Sequence, residues 1–238
     1  MKFNLIVADP PWFFFDSLKG SVKRGAASQY DVLNIDDIKA LDVKSLTEDN
    51  CVLALWVPSS LLQDGLDTMS SWGFTQKQTF IWVKTKKEPL KLLKKKIKKS
   101  LLLGKETKTF NPKFIKKVLA SMDEFDCDDI LSFYMGRLFR QTHEICLIGT
   151  RGKVYPNLKN KSQRSVSNHF SVKHPGKAKH SGKPEALQDR LDIMFPNAHN
   201  KLELFARRVR ADWRCVGLES PDTLGEDIRD AIERLKKE

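Results

Sequence analysis

The sequence Asn-Leu-Ile-Val-Ala-Asp-Pro-Pro-Trp occupies residues 4–12 and decides how the chain is interpreted. The short apolar run Leu5–Ala8 is typical of a buried strand. The two prolines that follow fix φ near −65° and have no N–H to donate, so the strand must end there. Asp9 is therefore predicted at a rigid strand end, with the flat ring of Trp12 beside it.

This strand end has the chemistry to recognise an amino group on a planar ring. The Asp9 carboxylate and the carbonyls of Pro10 and Pro11 accept N–H bonds, and the Trp12 ring offers a stacking face. The motif taken by itself leaves an alternative open, in which a strand ends in a Pro-Pro turn and Trp12 belongs to the core. The spacing of further motifs must decide between the two.

The chain has 238 residues, which suits one large domain or one domain with an insertion. It contains no run of 18 apolar residues, so we expect no membrane span. The first strand begins almost at residue 1 without a signal-peptide pattern, which predicts a cytoplasmic protein. The cysteines lack metal-site spacing and lie mostly in apolar runs, so we expect buried reduced thiols and no metal.

The positive charge is concentrated in two stretches of the chain. Residues 84–117 contain 14 lysines and only two acids, Glu88 and Glu106, so this stretch carries the whole net charge of +12. Residues 150–183 contain nine Lys or Arg and no acid. Such clusters predict contact with a phosphate backbone, and a solvated lysine-rich helix face is the alternative.

Strand-like and helix-like segments alternate along the chain, which predicts an α/β protein with helices on both faces of a sheet. Apolar runs predict strands over Cys51–Val57, Thr79–Val83, Glu144–Thr150, Lys201–Phe205 and Trp213–Gly217. Helical periodicity predicts helices over Ser59–Trp72, Lys183–Phe195 and Pro221–Lys237. Ser181 and Pro184 are interpreted as the cap and first turn of the middle helix.

Two segments interrupt this pattern within a single predicted domain, 1–238. Residues 86–133 carry two leucine- and isoleucine-rich stripes among lysines, which predict a basic helical insertion. A basic amphipathic helix also suits a membrane surface or a protein partner, but the enzyme-like frame favours nucleic acid. Residues 154–183 are rich in Asn, Ser, Lys and His and are predicted to form a long mobile basic loop.

Eight motifs in order identify a resemblance to the D-P-P-W family of adenine methyltransferases. They are N-L-I-V-A-D-P-P-W (4–12), S-Q-Y-D-V-L-N-I-D-D-I (28–38), L-A-L-W-V (53–57), F-I-W-V-K-T (80–85), R-Q-T-H-E-I-C-L-I-G-T-R-G (140–152), H-S-G-K-P-E (180–185), K-L-E-L-F-A-R (201–207) and W-R-C-V-G-L-E (213–219). They cover most of the chain except 86–133. The resemblance implies a permuted Rossmann-like sheet and the cofactor S-adenosyl-L-methionine.

The resemblance also implies site residues. The positions that match the family's cofactor residues are Asp9, His143, Glu203, Phe205 and Arg207. Glu219 follows the next strand, where an acid can hold both ribose hydroxyls of a cofactor at the carboxyl edge of the sheet. Tyr30 matches a family tyrosine near the acceptor pocket, and Trp12 would help to hold the base. For the phosphates we expect Lys94, Lys95 and Lys98.

The expected reaction is methyl transfer from S-adenosyl-L-methionine to the exocyclic N6 amine of adenine, in DNA rather than RNA. Bacterial and phage relatives in this family modify DNA, and the best-known relative modifies messenger RNA. An RNA methyltransferase and a non-catalytic nucleic-acid-binding subunit are the alternatives. The sequence does not distinguish a monomer from a homodimer.

Overall fold

The computed structural model describes residues 1–12, 33–86, 127–134, 138–170 and 182–238, with isolated positions at 88, 91, 92, 94, 95, 98, 112, 113, 116, 120 and 136. The chain divides into two compact units. The first unit comprises Met1–Trp82, Glu144–Ser167 and Lys173–Glu238. The second unit comprises Val83–His143 and Asn168–Val172. The predicted acceptor residue Tyr30 lies outside the described residues.

In the part of the chain that the structure describes, seven strands form one mixed sheet. They are β1 (Phe3–Ala8), β2 (Thr47–Val57), β3 (Thr75–Thr85), β4 (His143–Arg151), β5 (Val166–Phe170), β6 (Lys201–Leu204) and β7 (Arg214–Val216). Their order across the sheet is β5-β3-β4-β2-β1-β6-β7. β1 runs parallel to β2 and β6, β7 runs parallel to β6, and β4 is antiparallel to β2. The predicted α/β class is confirmed.

Helices cover both faces of the sheet. They are α1 (Ile35–Ala40), α2 (Leu62–Ser71), α3 (Ala186–Met194) and α4 (Ile228–Lys237). Successive β1 side chains alternate between the faces, as a pleated strand requires. Ile6 packs in the core that α1, α2 and α4 cover, whereas Val7 packs in the core that contains Leu187 and Leu191 of α3. The central strands are therefore buried on both sides.

The sequence patterns predicted most of the helices and strands, but some predicted ends differ from the observed ends. The predicted helix from Pro221 begins only at Ile228, where the Asp227 side chain accepts a hydrogen bond from the Arg229 N–H. Leu224, which lies within the predicted helix Pro221–Lys237, precedes the observed helix and is exposed. Helix α1 was not predicted at all, because it is a single short segment with few apolar residues.

The stretch predicted as a loop over residues 154–183 contains ordered structure. A 3-10 turn spans Tyr155–Asn157, and β5 forms the edge of the sheet. β5 has the sequence Val-Ser-Asn-His-Phe, whose polar interior hides it from a hydrophobicity pattern. Arg190 of α3 donates a 2.8 Å hydrogen bond to the Val166 carbonyl, so a tertiary contact anchors this strand. The rest of the stretch, from residue 171 to 181, lies outside the described residues.

The thiols behave as the sequence predicted where the structure describes them. Cys51, Cys146 and Cys215 are free and buried. Burial raises the pKa of the Cys215 thiol to about 11, so it stays protonated at neutral pH. Among the described residues, no helix has the length and hydrophobicity that a membrane span requires.

The described part of the second unit contains short strand pairings and helical positions. Thr85 at the end of β3 pairs with Leu131, and Tyr134 pairs with Gln141, both antiparallel. The predicted phosphate-binding lysines, Lys94, Lys95 and Lys98, are helical and exposed.

Candidate active site

The carboxyl ends of β1 and β6 lie side by side and position the predicted site. The two strands are parallel neighbours, and their register pairs Ala8 with Leu204. Asp9 directly follows β1, Glu203 lies near the end of β6, and Phe205 directly follows it. This edge forms a cleft lined by Val7, Asp9, Trp56, Gly182, Lys183, Gln188, Glu203, Phe205, Arg207 and Arg208. The structure therefore brings together Asp9 and three of the predicted cofactor residues.

Lys183 enters this cleft and binds two carboxylates. Its Nζ lies 2.9 Å from Asp9 Oδ2 and 3.2 Å from Glu144 Oε2, and 5.6 Å from the centre of the Trp56 ring. Burial alone would lower the pKa of Lys183, but the attraction of Asp9 and Glu144 outweighs it and raises that pKa. The ammonium group is therefore held in its charged form between the two acids.

The sequence interpretation of this segment as a simple capped helix start was incomplete. Helix α3 begins at Ala186 with Glu185 at its N-cap position, and Glu185 makes no side-chain capping bond. Lys183 points instead to Asp9. The signal for this role was present in the motif H-S-G-K-P-E, but no local pattern shows which strand end a lysine will meet.

Trp12 packs in the core and not at an open surface. Only 3% of the residue is exposed, and its Nε1 donates a 2.9 Å hydrogen bond to the Trp56 carbonyl. Its backbone N–H donates to the Pro10 carbonyl at 2.9 Å, which closes a three-residue turn. The predicted open stacking face of Trp12 is therefore wrong in this structure. Pro10 is buried and Pro11 half-buried, and the Pro10 carbonyl keeps a second lone pair.

Glu203 is held by two side chains that the sequence patterns did not single out. Arg208 Nη1 lies 2.9 Å from Glu203 Oε2, and Gln188 Nε2 lies 3.2 Å from the same oxygen. Burial raises the pKa of Glu203, although Arg208 opposes the shift. Arg208 also pairs with Glu185, so it ties the end of β6 to the start of α3. A basic pair after β6, Arg207-Arg208, was the only signal in the sequence.

The backbone after β6 is tightly constrained. Phe205 has φ of +62°, a left-handed conformation that is rare for bulky residues and typical of functional sites. The Ala206 N–H donates to the Val216 carbonyl at 2.9 Å. A Cβ at Gly217 would come within 2.4 Å of the Ala206 carbonyl oxygen, so the two strand ends can approach only with glycine there. These contacts constrain the backbone next to Phe205.

The remaining predicted residues have different surroundings. Arg207 Nε lies 3.9 Å from Glu219 Oε2, so these two predicted cofactor residues face each other after β6 and β7. His143 is the first residue of β4 and belongs to the second unit, where its carbonyl accepts a 2.6 Å hydrogen bond from Gln141 Nε2. Its cofactor role stays a prediction.

The family of the chain follows from a match to known sequences. The model of the MT-A70 family matches residues 3–117 and 126–219, and this chain belongs to that family. MT-A70 proteins are adenine N6-methyltransferases that use S-adenosyl-L-methionine, so the predicted family and cofactor are confirmed.

Individual relatives differ in how much of the chain they match. A type II methyltransferase from a Mycoplasma species, M.MunI, is 25% identical in an alignment that covers 93% of this chain and 79% of the relative. An MT-A70-like N(6)-adenosine-methyltransferase from Arabidopsis thaliana is 24% identical over 90% of this chain, but that alignment covers only 23% of the plant protein. The human METTL3 catalytic subunit is 31% identical over 84 residues, which is 35% of this chain and 13% of METTL3.

The cleft has the donor set that S-adenosyl-L-methionine requires. In the described part of the chain, Gln188 Oε1 is buried without a hydrogen-bond partner, which leaves an acceptor for a ligand N–H or O–H. The cleft also contains the Glu203 carboxylate, which can accept hydrogen bonds from hydroxyl or ammonium groups, and the Arg207 guanidinium, which can pair with a carboxylate. The residues present therefore fit this cofactor.

Proposed function

We propose that this chain transfers a methyl group from S-adenosyl-L-methionine to the N6 amine of adenine in DNA. The observation that carries the proposal is the placement of Asp9. Its carboxylate follows β1 directly, precedes the Pro10 carbonyl, and opens into the same cleft as Glu203 and Gln188. This placement supports a role for Asp9 and the Pro10 carbonyl as an acceptor pair for an amino group at the edge of the cleft.

The chemistry requires the amine nitrogen to become nucleophilic. Its lone pair is delocalised into the purine ring, so the free base is a poor nucleophile. Asp9 and the Pro10 carbonyl accept the two amine hydrogens and favour a more tetrahedral nitrogen with a localised lone pair. When bound, S-adenosyl-L-methionine supplies an electrophilic methyl group on a sulfonium. Asp9 is also placed to hold the proton that the nitrogen must release.

Other residues fix the acceptor pair in place. Lys183 holds one oxygen of Asp9, and Glu144 holds Lys183 from the other side. Trp12 anchors the Pro-Pro turn through its bond to the Trp56 carbonyl, so its role is to position the turn. Catalysis of this kind depends on positioning and on fixed dipoles.

The relatives of this chain bear on the choice between DNA and RNA as the substrate. The type II methyltransferase M.MunI matches 93% of this chain and 79% of its own length, and this match supports DNA. The net charge of +12 suits either polymer. The METTL3-like relatives keep RNA as the second candidate.

Methyl transfer to matched substrates tests the proposal. Labelled S-adenosyl-L-methionine is incubated with unmethylated DNA, with RNA and with free adenosine, and the products are digested to nucleosides. We expect label in N6-methyldeoxyadenosine. Label only in N6-methyladenosine would assign RNA, and label in neither nucleoside with a folded, cofactor-binding protein would contradict the proposal. The control is Asp9→Asn, which keeps the shape of the side chain.

A further inference from the structure

Glu203 lies on the side of the sheet that helix α3 covers. Its neighbours in β6, Leu202 and Leu204, pack in the core that α1, α2 and α4 cover. Because side chains alternate along a strand, Glu203 points to the opposite face, where Leu187 and Leu191 of α3 are buried. Only 14% of the Glu203 side chain is exposed. A carboxylate in such a place needs partners, because an unpaired buried charge is very costly.

Both partners of Glu203 bind the same oxygen of its carboxylate. Arg208 Nη1 and Gln188 Nε2 donate to Oε2, at 2.9 Å and 3.2 Å. Among the described residues, no hydrogen bond or ion pair involves the other oxygen, Oε1. Glu203 lines the cleft, so the anchored carboxylate keeps one oxygen to accept a hydrogen bond from a ligand.

The contact with Glu203 also orients the Gln188 amide. A carboxylate only accepts hydrogen bonds, so Gln188 must present its Nε2 to Glu203 and direct its Oε1 elsewhere. In the part of the chain that the structure describes, this buried Oε1 has no hydrogen-bond partner, and Gln188 lines the cleft beside Glu203. The orphan acceptor is a second indication that a hydrogen-bond donor binds at this end of the cleft.

Arg208 is itself held by a second carboxylate. Its Nε pairs with Glu185, at the N-cap position of α3. Glu185 Oε2 also lies 2.6 Å from Arg210 Nη1, and Arg210 pairs further with Asp189 and Asp192 of α3. The guanidinium of Arg208 therefore bridges α3 and the cleft, and its contact with Glu185 limits its freedom to move away from Glu203.

We propose that Arg208 is a positioning residue for cofactor binding, which holds the Glu203 carboxylate turned so that its Oε1 accepts a hydrogen bond from S-adenosyl-L-methionine. The inference rests on the part of the proposed function that concerns the cofactor, and it does not depend on DNA as the substrate. A guanidinium suits this role because its planar fork can bind two carboxylates and it keeps its charge at every physiological pH.

Calorimetric titration with S-adenosyl-L-methionine tests the proposal on a matched pair of variants. Arg208→Met is compared with Arg210→Met, which removes an arginine of the same loop and of similar exposure, 18% against 15%. Arg210 also binds Glu185, but among the described residues it does not contact Glu203. We expect Arg208→Met to bind the cofactor about tenfold more weakly, as for the loss of one hydrogen bond to a charged group. Arg210→Met should bind it with nearly wild-type affinity.

A double-mutant cycle shows whether Arg208 acts through Glu203. In a Glu203→Gln background, Arg208→Met should cause little further loss of affinity, because the carboxylate that Arg208 positions is gone. Arg208→Lys in the wild-type background should recover part of the affinity, since an ammonium still offers Glu203 a cation but lacks the planar fork. Should Arg208→Met fail to fold in circular dichroism, Arg208→Lys takes its place in the cycle, with a smaller loss that again disappears in Glu203→Gln.

The pH dependence of binding is a readout that a purely structural role would not change. Burial raises the pKa of Glu203 and Glu185 adds to the shift, whereas Arg208 opposes it. Cys215, beside Glu203 in β7, stays protonated. Without Arg208, the loss of cofactor affinity on acidification should occur about 1 pH unit or more higher than in wild type. Arg210→Met should keep the wild-type midpoint.

Other outcomes would overturn the proposal. Equal losses in Arg208→Met and Arg210→Met would indicate general anchoring of the loop, and so would a full further loss in the Glu203→Gln background. Unchanged affinity or an unchanged pH midpoint in Arg208→Met would contradict the positioning role directly. Unchanged affinity in Glu203→Gln alone would show that this carboxylate is not a ligand, and methyl transfer could still proceed. If the titrations give the expected results but the wild-type protein does not methylate DNA, only the choice of DNA fails.

Discussion

Lys183 Nζ lies 2.9 Å from Asp9 Oδ2, although 174 residues separate the two side chains in the sequence. Each of them directly precedes a proline, Pro10 or Pro184. A residue before proline is restricted to extended backbone conformations. Both ends of this ion pair are therefore held on stiff backbone, which suits a site that depends on a fixed carboxylate.

Asp9→Ala should abolish methyl transfer and leave the fold intact. Asp9 follows a strand and is only half-buried, so its loss removes an acceptor without creating a core cavity. We expect the rate to fall by at least ~10²-fold, as for the loss of one pre-organised polar group. Single-turnover kinetics and circular dichroism measure the two effects. A folded Asp9→Ala protein with normal turnover would contradict the proposal that Asp9 accepts the amine hydrogens.

Lys183→Met should reduce both stability and activity. Removing the ammonium leaves Asp9 and Glu144 without their shared partner in a mostly buried place. We expect the free energy of unfolding to fall by about 1.5–3 kcal/mol, the range for a hydrogen bond to a charged group. Urea denaturation measures this change, and Lys153→Met at an exposed lysine is the matched control. Equal stability of the two variants would show that the Lys183 pair contributes little.

The stability that Lys183 contributes should be lost only at high pH. Its pKa in the folded protein is raised above that of an unfolded lysine, about 10.4. A raised lysine pKa stabilises the fold fully below the unfolded value, and the contribution disappears as the pH rises through the folded value. The difference in unfolding free energy between wild type and Lys183→Met should therefore be constant from pH 7 to about pH 10 and then shrink. A difference that shrinks already between about pH 7 and 9 would contradict the raised pKa.

Glu203→Gln should weaken cofactor binding without destabilising the fold. Burial raises the pKa of Glu203, which means that the buried charge costs stability and a neutral amide avoids that cost. We expect an unchanged or higher melting temperature. Affinity for S-adenosyl-L-methionine should fall by about 1.5–3 kcal/mol in calorimetry, the range for a hydrogen bond to a charged group. Glu219→Ala in the same titration tests the second ribose acceptor. Unchanged affinity in both variants would rule out these carboxylates as ligands.

Replacing Lys94, Lys95 and Lys98 by Gln should weaken the binding of nucleic acids to a similar extent whatever their base sequence. The three lysines are helical and exposed, so their ammonium groups are available to phosphates. The slope of log K against log salt should become shallower by about 0.9 for each phosphate of duplex DNA that the variant no longer neutralises. Cofactor affinity should not change. An equal affinity and slope in the triple variant would assign these lysines to solubility or to a protein partner.

The strand ends of the site could be predicted because each depends on a few neighbouring residues. An apolar run followed by Asp-Pro-Pro predicts where β1 stops, and the Lys-Leu-Glu-Leu-Phe segment predicts the end of β6 in the same way. Parallel strands then bring Asp9 and Glu203 to one edge. Edge strand β5 was not predicted from the sequence, because its composition is not typical of a strand. It is a strand because it is hydrogen-bonded to its neighbour in the sheet.

The sequence by itself determined the family, the α/β class and the place of Asp9, because these follow from motifs and short-range periodicity. Only the tertiary structure decided that Lys183 binds Asp9, that Arg208 holds Glu203, and that the Trp12 ring faces the core. The physical reason is the same in each case. The direction of a side chain at a strand end depends on which distant charge or cavity the fold places beside it, and local sequence carries no record of that neighbour.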